Sequence, residues 1–192
     1  MQSSNFQEVQ SIEEINHLYK IAERVIVRSS ITITALTKKE GWIPICIHED
    51  LLNMYQIASI LKKHNYEMII GLAWSRDDDE HLATIFDSTD DSVGQFISRQ
   101  WSSAYLLFSG DPDWIILAEK ILGFCFVYGE KKFLEDLIGI SQDEAFVSIE
   151  EVIAESRFIT DIGREHFKNL LHQLRDVYPN LLPGDTFTFE FT

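Results

Sequence analysis

The sequence predicts an α+β fold, a single domain over residues 1–192 in which a mixed or antiparallel sheet is covered by several helices. The first observation behind this is the order of patterned segments. It reads αββαβ, then three strand-like runs, then three helical runs and a last strand, which is not the regular βα alternation of a doubly wound sheet. The second is composition: 45% hydrophobic residues, with 13 Phe, 4 Trp and 6 Tyr, give 192 residues enough apolar surface for a sizeable core. The third is punctuation, since Ser109-Gly110-Asp111-Pro112-Asp113 and Lys120 to Gly123 cut one stretch into three short strands.

The first helix opens on Ser11-Ile12-Glu13-Glu14, a capping-box pattern, and places Ile15, Leu18, Tyr19, Ala22 and Val25 or Ile26 at helical spacing, with an end expected near Arg28. Two β-branched runs, Ile31 to Leu36 and Trp42 to Ile47, flank the polar turn Lys38 to Gly41 and read as a hairpin; Pro44 assigns the second run to a sheet edge or a bulge. Asp50 is positioned to cap a second helix ending at Lys62-Lys63-His64, where cations suit a carboxyl terminus. Tyr66 to Trp74 is a nearly continuous apolar run, the pattern of a central strand covered on both faces. The acidic segment after it reads as a loop or an exposed face, because unpaired carboxylates are costly to bury.

A short helix is expected over Ser92 to Trp101, then a three-stranded meander at Ala104 to Phe108, Trp114 to Glu119 and Phe124 to Tyr128. Helices follow around 130–138, 143–155 and 163–178. Thr186 to Phe191 closes the chain with a period-two alternation that puts three phenylalanines on one face. No repeat or low-complexity tract divides the chain; a weak sub-boundary falls near residues 77–91. Cys46 and Cys125, each in an apolar strand context, read as buried, reduced thiols.

Charge carries what functional signal there is. Of the formal net charge of −15, nearly all lies in two stretches: Arg76 to Asp91 holds seven acids against one base, and Phe133 to Ser156 holds seven against none. Binding to DNA, RNA or anionic membrane is not expected of such a chain, because phosphate binding relies on clustered Lys and Arg. A start without the basic and apolar regions of a signal peptide leads us to expect a cytoplasmic protein, and no apolar run is long enough to span a bilayer.

No nucleophile elbow, phosphate-cradling glycine loop or zinc-ligand spacing appears, so no cofactor is expected. The sequence therefore favours a small acidic cytoplasmic binding protein that engages and neutralises a basic protein partner, as an immunity protein or antitoxin does. Its candidate partner-binding residues are Asp77, Asp78, Asp79, Glu80, Asp87, Asp90, Asp91, Glu144, Glu150 and Glu151. One alternative is a metal-dependent enzyme, with His48, Glu49 and Asp50 meeting Asp77 to His81 at a sheet edge, since oxygen and imidazole donors suit a divalent ion. Another is a non-catalytic accessory domain forming homo-oligomers through its C-terminal Phe strand.

Overall fold

The computed structural model describes residues 5–28, 33–48, 52, 54–74, 82–99, 104–119, 123–156 and 159–190. The fold is α+β. Its main sheet has seven strands: β1 (Phe6–Glu8), β4 (Trp42–His48), β5 (Met68–Ala73), β6 (Ala83–Asp87), β7 (Tyr105–Ser109), β8 (Trp114–Glu119) and β9 (Phe124–Glu130). They lie in the order β1-β6-β5-β7-β8-β9-β4, and every neighbouring pair is antiparallel. A second, three-stranded sheet has the order β10-β3-β2, with β2 (Ile26–Arg28), β3 (Ile33–Thr37) and β10 (Thr186–Glu190).

Both faces of the main sheet are apolar, so it must be covered twice. Along β7, Leu106 and Phe108 point to one side and Tyr105 and Leu107 to the other, and β8 and β9 alternate in the same way. On one side lie α2 (Met54–Lys63), α3 (Asp90–Arg99) and α4 (Lys131–Ile138), which contribute Ile57, Leu61, Val93, Phe96, Phe133, Leu134 and Leu137. On the other side lie α1 (Ile12–Ala22), the small sheet and α6 (Asp161–His172), with Leu18, Tyr19, Leu36, Phe187, Phe189, Phe167 and Leu170. Phe189 stacks on Phe126 of the main sheet with ring centroids 4.7 Å apart, an aromatic contact worth about 1 kcal/mol beyond its buried area. The remaining helix, α5 (Gln142–Glu155), runs beside the edge strand β4, where Gln142 Nε2 donates to the Pro44 carbonyl at 2.9 Å.

A buried hydroxyl relay ties the two sheets together. Tyr128 Oη, on β9, donates to the Thr37 carbonyl of β3 at 2.9 Å and accepts from the Lys39 N–H at 3.0 Å. Tyr178 Oη donates to Tyr128 Oη at 2.8 Å, with the Trp42 carbonyl a second acceptor at 3.2 Å. Burial pushes the pKa of both phenols up, so both keep their protons.

Several sequence expectations are met: Ser11 caps α1, β5 is an interior strand, β7 to β9 form the meander, and β4 with Pro44 is an edge. Others are corrected. The two runs flanking Lys38 to Gly41 do not form a hairpin, because β3 and β4 belong to different sheets and the turn carries the chain between layers. The first helix stops at Ala22 and Ile26–Arg28 is a strand, which the apolar spacing of Val25 and Ile26 concealed. The first acidic stretch holds strand β6 as well as polar backbone.

Cys46 and Cys125 are buried and form no disulfide, on adjacent strands but on opposite sheet faces. Burial foremost, then the neighbouring Cys125, pushes the Cys46 thiol well up. Among the described residues no helix is long and apolar enough to cross a membrane.

Candidate functional site

Strand register decides where the acidic residues meet. Asp87 ends β6 opposite Met68, so Glu67 lies beside it at the start of β5. Ser109 ends β7 opposite Ile69, which sets the turn carrying Asp111 and Asp113 at the same end of the sheet. Trp114 pairs with Gly129, and Glu130 pairs with Trp42, which follows Glu40 and Gly41. Glu40, Glu67, Asp111, Asp113 and Glu130 are all exposed. They form one rim along the strand ends, which the usual strand spacing makes about 19 Å long from Asp87 to Glu130.

Their fields overlap. The Tyr66 phenol is pushed up by burial, then by Asp113 and Glu130; burial lowers the Lys39 ammonium, while Asp113 and Asp111 pull the other way. Bases are present on the rim but partly engaged. Lys39 Nζ donates to the Pro112 carbonyl at 3.0 Å and lies 4.1 Å from the Trp42 ring centroid. Arg24 reaches Asp111 at 3.8 Å in an exposed pair, which contributes little to stability.

The acids singled out from the sequence divide by role. Asp87 accepts from Asn5 N–H at 3.0 Å, from Thr89 Oγ1 at 2.7 Å and from Ser92 Oγ. Partial burial would raise its pKa, but these donors outweigh it and hold the carboxyl below the usual range. Asp90 and Asp91 are exposed in the first turn of α3, where negative charge suits the helix dipole, three and four residues after Asp87. Glu144 completes a capping box, accepting from Ser141 N–H at 2.8 Å and Ser141 Oγ at 2.7 Å, and these bonds lower its pKa. Glu150 is bonded to Arg175, and Glu151 is exposed on the outer side of α5. Asp77, Asp78, Asp79 and Glu80 lie outside the described residues.

The described acids of the first stretch on α3 and those of the second on α5 do not merge into one patch. α3 packs beside β6 and α5 beside β4, five strand spacings or about 24 Å apart, so these two helices stand at opposite ends of the rim. Sequence reading missed Glu67, Asp111, Asp113 and Glu130, which are scattered along the chain and become neighbours only through the register. Asp113 and Glu130 each stand beside a meander strand, and pairing the meander on paper would have brought those two together.

For the metal reading, Glu49, Asp50 and Asp77 to His81 lie outside the described residues. His48 and Trp74 leave the sheet at the same end, but β9, β8 and β7 separate their strands, a lateral distance of about 19 Å. His48 packs edge-on against Phe124, with centroids 5.6 Å apart. No group of three or more His, Cys, Asp or Glu able to hold a metal occurs among the described residues. For the oligomerisation reading, Phe187 and Phe189 face inward and are buried, so their rings are occupied by the core; Phe191 lies outside the described residues.

No protein-family model matches the chain, and no significant match was found among curated proteins or solved structures.

Proposed function

We propose that this chain is an acidic binding protein that engages a basic protein partner in the cytoplasm and neutralises it by occupying its cationic surface, in the manner of an immunity protein or antitoxin. The observation that supports the reading is the alignment, by strand register, of Glu67, Asp111, Asp113 and Glu130 on one exposed rim, with the exposed Asp90 and Asp91 just after Asp87. Like charges held side by side repel, and strand ends accept neutral polar residues equally well, so folding gives no reason to gather them. A concentrated negative field instead steers a cationic partner and speeds association. The flanking Trp42, half-buried beneath Lys39, offers an apolar contact of the kind that sets affinity.

The test compares the protein with its Glu67→Gln, Asp111→Asn, Asp113→Asn, Glu130→Gln variant. Each is immobilised and exposed at low salt to a lysate of the source cell; the captured protein is purified and its association rate is measured against salt. The variant is expected to associate at least tenfold more slowly, with a flattened salt dependence and an unchanged melting temperature. Capture of the same partner at the same rate by both, or capture of no cationic protein, overturns the proposal.

A further inference from the structure

A concavity of about 310 Å³ opens between the turn after β3, the start of α5 and the segment following α6, lined by Lys38, Ile43, Gln142, Phe146, Arg175 and Tyr178. Its size is at the lower end of that of small-molecule sites. The floor is rigid: Tyr178 and Phe146 are buried core residues, and Gln142 is pinned by its bond to the Pro44 carbonyl.

Lys38 is the unusual member. Its ammonium lies 3.8 Å from the Tyr178 ring centroid and has no carboxylate partner among the described residues, in a chain where 31 acids face 16 bases. Burial lowers its pKa, the direction expected of an ammonium partly withdrawn from water. Arg175 adds a second cation, bonded to Glu150 at one end and lying 5.0 Å from the Phe146 ring centroid. A guanidinium has five N–H donors, so a single carboxylate contact leaves others for a ligand.

We propose that this concavity binds a small carboxylate with an apolar body, its carboxylate on Lys38 and Arg175 and its body against the accessible Ile43 and Pro179 of the lining. The bound anion supplies the counter-charge that Lys38 lacks, and Ile43 and Pro179 supply the apolar surface, over a floor of buried aromatic rings. Asp143 also lines the opening and opposes an anion, which gives the proposal a second handle. The site adjoins the Trp42 end of the acidic rim, through Lys38, Ile43 and the Tyr178 bond to the Trp42 carbonyl, but uses none of the rim carboxylates.

Benzoate is the probe and benzamide its neutral counterpart of the same shape. Each is titrated into the protein while backbone amide resonances are followed by NMR. Benzoate is expected to shift the Lys38, Gln142 and Tyr178 amides saturably, with benzamide at least tenfold weaker. Lys38→Gln should weaken benzoate at least tenfold, and Asp143→Asn should strengthen it about threefold by removing a like charge. The first variant keeps the backbone bonds from Lys38 N–H to the Asp185 carbonyl and from Gly184 N–H to the Lys38 carbonyl, both 2.8 Å, so its fold is checked by an otherwise unchanged spectrum. Equal binding of benzamide, unaltered affinity in Lys38→Gln, or no saturable shift with benzoate overturns the proposal.

Discussion

Gly71 occupies the middle of β5, paired with Thr84 on one side and Leu107 on the other. It leaves a notch that the Phe96 ring of α3 fills. A Cβ built on Gly71 would fall inside the van der Waals envelope of that ring, nearest Cε2 and Cζ, with Cδ2 at 2.8 Å. Ordinary carbon contacts are about 3.5–4.0 Å, so Gly71→Ala requires the ring to withdraw by about 1 Å or more. Phe96 has nowhere to go, being stacked on Phe86 at 5.0 Å and met edge-on by Tyr105 at 5.3 Å. Overpacking of a closed core costs about 1–3 kcal/mol, and the two blocking rings place this case near 3.

Urea unfolding followed by circular dichroism should show that loss as a midpoint lowered by about 1 M with the slope unchanged. Phe96→Ala alone should cost about 3–5 kcal/mol, and adding Gly71→Ala to it should cost nothing, because the notch is then empty. The two changes should therefore couple by about 3 kcal/mol. A Gly71→Ala protein within about 0.5 kcal/mol of wild type, or additive effects in the double variant, would refute the argument.

Tyr178→Phe keeps the ring beneath Lys38 but removes the donor to Tyr128 Oη and the Trp42 carbonyl, and thermal unfolding should register about 1–2 kcal/mol of lost stability; no change would show the hydroxyl to be dispensable. Acid sensitivity follows from the lowered carboxyl pKa values of Asp87 and Glu144. A group whose folded pKa is depressed stabilises above its unfolded value near 4 and loses that contribution as pH falls through the folded value. Melting temperature should therefore drop below about pH 4, and Asp87→Asn should melt lower at neutral pH with a shallower acid slope; an unchanged slope would remove Asp87 from the account.

Elements with their own local signal were legible in the sequence. The Ser11 cap, the β7 to β9 meander and the Phe187 and Phe189 alternation each declare themselves within a few residues. What escaped depends on partners distant in the chain. β1 and β2 have three residues each, too few for a period to emerge. β6 was hidden by the acids around it, although Ala83 to Phe86 is apolar but for Thr84. The Lys38 to Gly41 turn has hairpin chemistry, yet tertiary packing directs its flanks to different sheets. For the candidate site, clustering along the sequence marked Asp87 and Glu144, whose oxygens are taken up by local bonds, and passed over the carboxylates that register brings together.

The small sheet also sets a schedule for synthesis. Its central strand, residues 33–37, is made early, while the partner that buries Phe187 and Phe189 against the core is residues 186–190. At about 5–20 residues per second, β3 waits on the order of ten seconds for β10 to leave the ribosome. Until then the apolar residues Ile115, Leu117 and Phe126 of the main sheet lack part of their cover. Until residues 186–190 emerge the nascent chain thus carries an incomplete core, and β10 is the strand that seals it.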